Sequence, residues 1–227
     1  MRRGDLFVCL LGANRDGHDY AQAAVRRGAR AILAERLVSV DGLPTCIVED
    51  SRAAYGQLCQ ALAGNPSRQV KCIGITGTNG KTTTTALLSS VLQAAGRSTG
   101  MLGTLGYHDG FDSAAATLTT PTAPELAHWL SRMRDNGCSH AVMEVSSHAL
   151  SQGRVAGIEF DVACVTNIRR DHLDYHGTLA NYRAAKARLF EHLAPEGFVV
   201  LNADDPVSSG LIGSVQSPLL TIGMHES

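Results

Sequence analysis

The residues best suited to chemistry lie in the segment TGTNGKTT, which directly follows the apolar run KCIGI. Its glycines permit a tight turn in which backbone N–H groups point at an anion, and a helix starting there adds its dipole. Lys81 supplies a positive charge and Thr82 a hydroxyl for Mg²⁺. The segment therefore predicts a nucleoside triphosphate site. The residues assigned to it are Gly77, Thr78, Asn79, Gly80, Lys81, Thr82 and Thr83.

This segment departs at its start from the general phosphate-loop pattern GxxxxGK[ST]. The pattern has glycine where this sequence has Ile75, so the first glycine is displaced to position 77. A glycine turn with a chance Lys-Thr pair is the alternative interpretation. The strand-like run before the segment and the helical pattern after it favour the nucleotide site.

Three further polar residues lie close to the ends of apolar runs. Glu144, in the run HAVMEV, is a candidate Mg²⁺ ligand because this ion prefers hard oxygen donors. A helix cap or a solvated charge is the alternative for Glu144. Asn167 ends the run VACVTN, where it either faces the adenine or phosphate region or simply terminates a strand. His172 follows in RRDHLDYHG, and a single histidine of this kind is more often structural than a metal ligand.

The elements that must position these residues alternate between strands and helices. Such alternation predicts an α/β fold with a mostly parallel sheet, which binds ligands outside the carboxyl ends of its strands. Strands are predicted at residues 6–11, 29–34, 45–48, 71–76, 140–145, 162–167 and 198–202, and helices at 20–27, 51–63 and 179–193. Two more helices are predicted from the apolar spacing of Leu87, Leu88, Val91, Leu92 and Ala95, with Gly96 as C-cap, and of Leu126, Trp129, Leu130 and Met133.

A domain boundary is predicted at the turn residues Gly64-Asn65-Pro66-Ser67. Residues 1–66 then form a small N-terminal α/β domain, too short for a large core and therefore read as truncated. Residues 67–227 form a second domain that contains the phosphate loop.

Composition excludes several classes of protein. The chain has 227 residues with 20 basic and 21 acidic side chains, so it is not a bulk electrostatic binder of nucleic acid or membranes. No apolar run reaches the ~18 residues of a membrane helix, and no secretory signal is recognisable. Six cysteines are scattered singly, and those in the apolar stretches around Cys9, Cys46, Cys72 and Cys164 are expected to be buried thiols. A reducing, cytoplasmic setting is therefore favoured.

The loop GTNGKTT resembles the ATP-binding loop of the Mur ligases, which build the peptide of peptidoglycan. Folylpolyglutamate synthase and cyanophycin synthetase carry similar loops, so the loop alone does not choose among them. The segments TLTTPTAPEL, EVSSHAL, TNIRRDHLDYHG and YRAAKARLF, and GDLFVCLLGANRDGHDY near the start, are similar to the Mur ligase branch that adds the third amino acid. The resemblance covers nearly the whole chain in the family's order. Members usually begin some tens of residues earlier and carry a third domain for the amino acid, so the chain is expected to be a fragment.

The resemblance implies roles for individual residues. It gives His172 a place among the metal ligands, together with Thr82, Glu144 and a carbamylated Lys186. It implies catalytic roles for Lys81, Lys186, Glu144 and His172, and leaves His148 and His176 as supporting residues. The residues implied to hold a UDP-muramoyl-peptide are Thr119, Thr120, Ser146, Gln152 and Arg154, with Asn14 and Arg15 for the uridine diphosphate. Local turn hydrogen bonds are the alternative role for each hydroxyl.

The function that follows is an ATP- and Mg²⁺-dependent amide ligase, which adds a diamino acid to UDP-MurNAc-L-Ala-D-Glu through an acyl phosphate. The alternatives are another amide ligase with the same loop, of the folylpolyglutamate or cyanophycin synthetase kind, a kinase or ATPase without an amide product, and a non-catalytic binding fragment. A cytoplasmic monomer with no nucleic-acid or membrane partner is expected. The isolated chain is predicted to be unable to complete ligation, and the identity of the amino acid stays open between meso-diaminopimelate, lysine and others.

Overall fold

The computed structural model describes residues 2–12, 14–40 and 42–224, which form two separate sheets. The first sheet has three parallel strands in the order β1-β2-β3, formed by Leu6–Val8, Ala31–Ala34 and Thr45–Ile47. Two helices accompany it, α1 (Ala21–Arg26) and α2 (Ser51–Leu62). The predicted boundary at 66/67 lies between the two sheets, in the 3-10 turn Pro66–Arg68.

The second sheet has eight strands in the order β11-β10-β9-β4-β8-β5-β6-β7. Neighbours from β11 to β5 are parallel, whereas β5, β6 and β7 form an antiparallel edge. The strands are β4 (Lys71–Thr76), β5 (Thr99–Gly103), β6 (Gly106–His108), β7 (Ser113–Ala114), β8 (His140–Glu144), β9 (Phe160–Val165), β10 (Leu193–Asn202) and β11 (Leu219–Ile222). The helices are α3 (Lys81–Ala94), α4 (Ala123–Asp135), α5 (Ser147–Ser151), α6 (Leu173–His176), α7 (Leu179–Ala187) and α8 (Pro206–Ser209). The predicted α/β class with a mostly parallel sheet is confirmed.

Strand β4 is a buried, central strand of the large sheet. Five of its six residues are buried, and it pairs in parallel with β8 on one side and β9 on the other. Gly74 lies where a side chain has no room, since an added Cβ would be 2.8 Å from the Phe160 ring. The burial of β4 explains the continuous apolar run in the sequence, which is typical of a buried parallel strand.

Helix α4 follows the predicted periodicity. The four apolar residues at helical spacing are all buried, namely Leu126, Trp129, Leu130 and Met133. A capping box between Thr122 and Glu125 starts the helix.

Helix α3 forms where its apolar spacing predicted a helix. Leu88 and Leu92 are half-buried and pack against the core at Ile73, Ile75 and Val142. Leu87 and Val91 are more than 60% exposed, whereas Thr85 and Ser89 are buried. The spacing of the apolar residues thus predicted the helix but did not distinguish its buried face from its exposed face.

Two other sequence expectations differ from the structure. The helix predicted at 179–193 ends as α7 at Ala187, continues as a 3-10 turn (Arg188–His192), and gives way to strand β10 at Leu193. Cys46 is exposed, because β3 is an edge strand of the small sheet. Within the described residues, no helix combines the length and apolar character needed to cross a membrane.

The two sheets are joined by close helix packing. Helix α2 packs against α4, and an added Cβ at Gly56 would lie 2.7 Å from the carbonyl oxygen of Ala156. Arg134 of α4 donates to the carbonyl oxygen of Ala63 at 2.8 Å. These contacts hold α2 against the part of the chain that carries the large sheet.

Candidate functional site

The predicted phosphate loop connects β4 to α3 and has the backbone that its glycines allow. Gly77 and Gly80 have φ angles of 149° and 84°, where residues with side chains are strained. Gly77 also lies so close to Thr166 that an added Cβ would overlap its hydroxyl. Lys81 is the first residue of α3, so the N-terminus of the helix faces the loop. The arrangement is that of an anion site.

A polar clamp from the end of β9 holds this loop. The Asn167 side chain accepts a hydrogen bond from the Asn79 backbone N–H and donates another to the Asn79 carbonyl oxygen, each at 3.0 Å. The Thr166 hydroxyl donates to the same carbonyl at 2.6 Å. Asn167 therefore lies at the phosphate loop, and its side chain acts on the loop backbone.

Two lysines meet at one carbonyl group of the loop. Lys81 Nζ donates to the oxygens of Gly77 and Thr78, at 2.8 and 3.0 Å, and Lys186 Nζ donates to Gly77 at 2.8 Å. Lys186 is 1% exposed and lies over the Tyr182 ring, 4.5 Å from its centre. Burial first, and the charge of Lys81 second, lower the pKa of Lys186 to about 7. Burial also lowers the pKa of Lys81. A neutral amine is thus accessible at position 186 near neutral pH.

Glu144 lies at the end of β8, next to the loop, and is 1% exposed. Its carboxylate accepts hydrogen bonds from the Thr82 hydroxyl at 2.9 Å and from the Thr104 backbone N–H at 2.7 Å. A solvated charge or a helix cap is therefore excluded. The pair of Glu144 and Thr82 brings two hard oxygen donors together, which fits Mg²⁺ in donor chemistry.

His148, His172 and His176 form a cluster of edge-on and tilted rings. His172 has a left-handed backbone with φ of 50°, and its ring centre is 4.8 Å from that of His148. His148 in turn lies 5.6 Å from His176, whose Nε2 is 3.0 Å from the Ser147 hydroxyl. Burial is the main cause that lowers the pKa of His148, and the electrostatic effect of the neighbouring His172 adds to it. Across residues 2–12, 14–40 and 42–224, no three His, Cys, Asp or Glu side chains are gathered as a ready-made metal site.

The predicted hydroxyls beside Glu144 bind the protein itself. The Thr120 hydroxyl donates to the Glu144 carbonyl oxygen and accepts from the Ser146 backbone N–H, each at 2.9 Å. The Ser146 hydroxyl caps α5 by accepting from Ala149 N–H at 3.2 Å. Thr119 accepts from the Thr104 hydroxyl at 3.2 Å. Only the Ser146 cap is a local hydrogen bond, because the bonds of Thr119 and Thr120 join distant segments. Thr120 is buried, whereas Thr119 and Ser146 are half-buried.

Gln152 and Arg154 line a cavity of about 200 Å³ between the two sheets. Arg154 donates to the Gln152 side-chain oxygen at 2.9 Å and to the Thr120 carbonyl oxygen at 2.9 Å. From the small-sheet side the cavity is closed by Leu10, Arg52 and Tyr55. The cavity thus joins the predicted substrate residues to both parts of the chain.

Asn14 and Arg15 are exposed in the turn between Leu11 and Asp16. Neither lines the cavity of Gln152 and Arg154. Arg52 of α2 donates to the Leu11 carbonyl oxygen at 2.6 Å, so this turn nevertheless adjoins the rim of that cavity.

The structure adds residues that the sequence did not single out. Thr104 donates to Glu144, and Thr166 donates to the phosphate loop at Asn79. The ammonium group of Lys186 lies over the ring of Tyr182. Burial lowers the pKa of Lys81 and of Lys186, and the charge of Asp171 acts against it at both, after that of Glu144 at Lys81. A polar residue directly after a strand was the available signal for Thr104 and Thr166, which follow β5 and β9.

Two family profiles match the chain. The profile "Mur ligase middle domain" matches residues 75–227, and "Mur ligase family, catalytic domain" matches residues 1–63. A UDP-N-acetylmuramoyl-L-alanyl-D-glutamate–2,6-diaminopimelate ligase of Geobacillus kaustophilus is 47% identical over 98% of this chain. The match covers 47% of that relative, so the chain spans about half the length of the curated relatives it matches.

Solved structures with the same arrangement are similar over the whole chain. One structure of a UDP-N-acetylmuramoyl-L-alanyl-D-glutamate–2,6-diaminopimelate ligase superposes with a TM-score of 0.82 at 30% identity, covering 100% of this chain and 47% of the other. MurF ligase of Thermotoga maritima, in complex with ADP, has a TM-score of 0.58 at 28% identity and covers 100% of this chain and 49% of the other.

Proposed function

The chain belongs to the Mur ligase family, and we propose that it forms part of an ATP-dependent amide ligase of peptidoglycan precursor synthesis. The proposed substrate is UDP-MurNAc-L-Ala-D-Glu, to which a diamino acid is added. The observation that carries the proposal is the phosphate loop beside the buried Glu144–Thr82 pair, with two lysines on one loop carbonyl. Similarity to diaminopimelate ligases supports the choice of amino acid class.

The proposed binding sites for the two substrates are assigned to the parts of the chain that carry the two sheets. Residues 1–66 and the cavity at Gln152 and Arg154 would hold the UDP-muramoyl-peptide, with Asn14 and Arg15 at the uridine diphosphate. Thr119, Thr120 and Ser146 would contribute where the cavity approaches Glu144. Residues 67–227 would hold ATP. We further propose a cytoplasmic monomer that needs no nucleic acid or membrane.

The nucleotide would bind at residues 77–83, where loop N–H groups, the N-terminus of α3 and the charge of Lys81 meet a phosphate chain. Since Lys81 Nζ holds two loop carbonyls at 2.8 and 3.0 Å, it must exchange these bonds for phosphate oxygens. Asn167 would keep the loop open through its two bonds to Asn79. A MurF ligase with the same fold was solved in complex with ADP, which supports nucleotide binding by this chain.

Mg²⁺ fits the donor set of Thr82 and Glu144, with His172 and a modified Lys186 as further proposed ligands. When bound, the ion would neutralise phosphate charge during transfer. The protein's own contribution is to orient the Glu144 carboxylate through the hydrogen bonds from Thr82 and Thr104, since removing those donors would leave a buried carboxylate unpaired.

Lys186 is proposed to act as a carbamate. Its neutral amine would form a nitrogen–carbon bond to carbon dioxide, and the nitrogen would release one proton to solvent, leaving an anionic oxygen pair. Burial, Lys81 and the pKa of about 7 supply the neutral amine this step requires. The modification would convert a cation into an oxygen donor and reduce the repulsion between the two lysines.

In the proposed reaction the substrate carboxylate forms a bond to the γ-phosphorus while the bond to ADP breaks. The diamino acid then displaces phosphate and loses a proton, which leaves the amide. Such phosphoryl transfer depends mainly on alignment and charge stabilisation, which Lys81 and the loop would provide.

The test is binding and turnover with matched variants. ATP and UDP-MurNAc-L-Ala-D-Glu should each bind the chain, Lys81→Ala should lose ATP affinity, and Lys71→Ala, at the opposite end of β4, should not. Phosphate release by the complete gene product should require the dipeptide, and labelled diamino acid should enter an amide. Release without the dipeptide would favour a kinase or ATPase, and dependence on a folate would favour a folylpolyglutamate synthase.

The carbamate has its own test. Lys186→Ala in the complete enzyme should lose activity, and a short carboxylic acid should partly restore it by occupying the vacated position. Activity close to wild type would contradict the role of Lys186. The isolated chain is predicted to bind both substrates without completing ligation, and turnover at full rate would contradict that prediction.

A further inference from the structure

Two arginine-rich segments meet at the amino end of the small sheet. Arg3 precedes β1, Arg26 and Arg27 end α1, and Arg30 precedes β2. These four arginines are among the residues that line an open cavity of about 460 Å³, the arginine cavity. This volume falls in the range of small-molecule sites, ~300–1,000 Å³.

Backbone contacts hold the two segments side by side. The Gly4 N–H donates to the Gly28 carbonyl oxygen at 3.0 Å, and the Arg30 N–H donates to the Asp5 carbonyl oxygen at 2.9 Å. Gly28 has φ of 100°, and an added Cβ would lie 3.1 Å from Arg3 Cα. A glycine at this position is therefore what permits Arg3 to approach the end of α1, so the cavity is part of the fold.

The four arginines of the arginine cavity form no close ion pair with the described residues. None of the ion pairs found in residues 2–12, 14–40 and 42–224 includes one of its four arginines. The nearby Asp5 carboxylate accepts a hydrogen bond from the Arg2 backbone N–H at 2.6 Å. Asp41 lies outside the described residues. The dipole of α1 favours Arg26 and Arg27 at its end but gives no reason for Arg3 or Arg30.

We propose that the arginine cavity binds a phosphate-bearing anion, either free in solution or as a lipid headgroup. Guanidinium groups bind phosphate through paired, charge-assisted hydrogen bonds, and several of them match an ion with more than one negative charge. A single carboxylate would leave most of the charge uncompensated.

The arginine cavity is separate from the candidate nucleotide and peptide site. All three strands of the small sheet are parallel and start at the arginine cavity, whereas Leu10, beyond the carboxyl end of β1, lines the cavity of Gln152 and Arg154. A phosphate ligand at the arginines would thus leave the ligase site free.

The test measures pyrophosphate binding by calorimetry on the 227-residue chain carrying Lys81→Ala, so that the phosphate loop contributes little. Introducing Arg27→Ala and Arg30→Ala into this variant should weaken pyrophosphate binding by about tenfold or more. Raising the salt concentration should weaken the binding of pyrophosphate to the chain that keeps both arginines. The control removes equal charge from two exposed positions elsewhere, Arg97→Ala with Arg183→Ala, and should leave the affinity unchanged. Circular dichroism establishes that each variant is folded.

The source of the phosphate is distinguished with sedimentation on phosphatidylglycerol vesicles. Pyrophosphate binding that depends on Arg27 and Arg30 supports a free anion, and binding to the vesicles alone, with the same dependence, supports a headgroup. As a check without variants, pyrophosphate should protect Arg27 and Arg30 of the chain from phenylglyoxal. Equal loss of affinity in the control, or no binding to either probe, would overturn the proposal.

Discussion

Replacing Lys186 with methionine tests how the buried lysine is accommodated beside the phosphate loop. Lys186 is 1% exposed and donates to the Gly77 carbonyl oxygen, which Lys81 also holds. Methionine keeps a flexible side chain of similar length over the Tyr182 ring but cannot be protonated. The change therefore removes the cost of a buried charge and one hydrogen bond, which contributes about 1 kcal/mol.

The size and sign of the effect follow from the pKa of Lys186, about 7 in the folded chain against 10.5 for the ordinary side chain. Between these two values the unfolded chain binds more protons than the folded chain, so stability rises with pH. The gap corresponds to about 5 kcal/mol, which is the cost fully present below about pH 7 and absent above about pH 10.5. Lys186→Met escapes this cost and should be more stable than wild type in acid.

The assay is urea unfolding of both proteins between about pH 6.5 and 9.5 in buffers free of carbon dioxide. Groups that Lys186 does not perturb titrate equally in both proteins and cancel in the difference, so wild type should gain several kcal/mol relative to Lys186→Met across the window. Burial lowers the pKa of His148 and of His176, and the charge of Lys186 lowers both further, so the difference is read at the upper part of the window, where both histidines are neutral. Lys71→Met serves as control, because Lys71 is exposed and forms an ion pair with Asp161 at 2.6 Å. A wild-type minus Lys186→Met difference that does not change with pH would refute the reasoning.

Three further substitutions have expected outcomes in the same unfolding assay. Gly56→Ala should lower the free energy of unfolding by about 1–3 kcal/mol because its Cβ would lie 2.7 Å from the Ala156 carbonyl oxygen. Gly213→Ala is the control, since Gly213 has open space around it, and should change stability by less than about 0.5 kcal/mol. Equal effects of the two substitutions would contradict the packing argument. Glu144→Gln should cost about 1–3 kcal/mol, since bonds to a charged acceptor become neutral ones, and should weaken Mg²⁺-dependent ATP binding measured by calorimetry. Thr122→Ala should cost about 1 kcal/mol through loss of the capping box, and wild-type stability would count against that cap.

Local patterns in the sequence were sufficient for the fold class, for β4 and α4, and for the phosphate loop. A buried strand, an amphipathic helix and a glycine turn each depend on residues a few positions apart, so their spacing is visible in the chain. Spacing alone did not decide which apolar residues of α3 face the core, since Leu87 and Val91 are exposed. The helix prediction failed at the end of α7, where a 3-10 turn follows without a break in the pattern.

Tertiary structure decided which distant residues meet. Lys186 reaches the Gly77 carbonyl oxygen across 109 positions, and Asn167 clamps Asn79 across 88. These contacts exist because β4 lies between β8 and β9, so the segments after three strands converge at one edge of the sheet. Residue spacing along the chain carries no information on that strand order, because it depends on how the helices between strands pack back onto the sheet. The sequence by itself thus determined which residue types serve the site, while strand order determined that Glu144 binds Thr82 and that both lysines share one carbonyl.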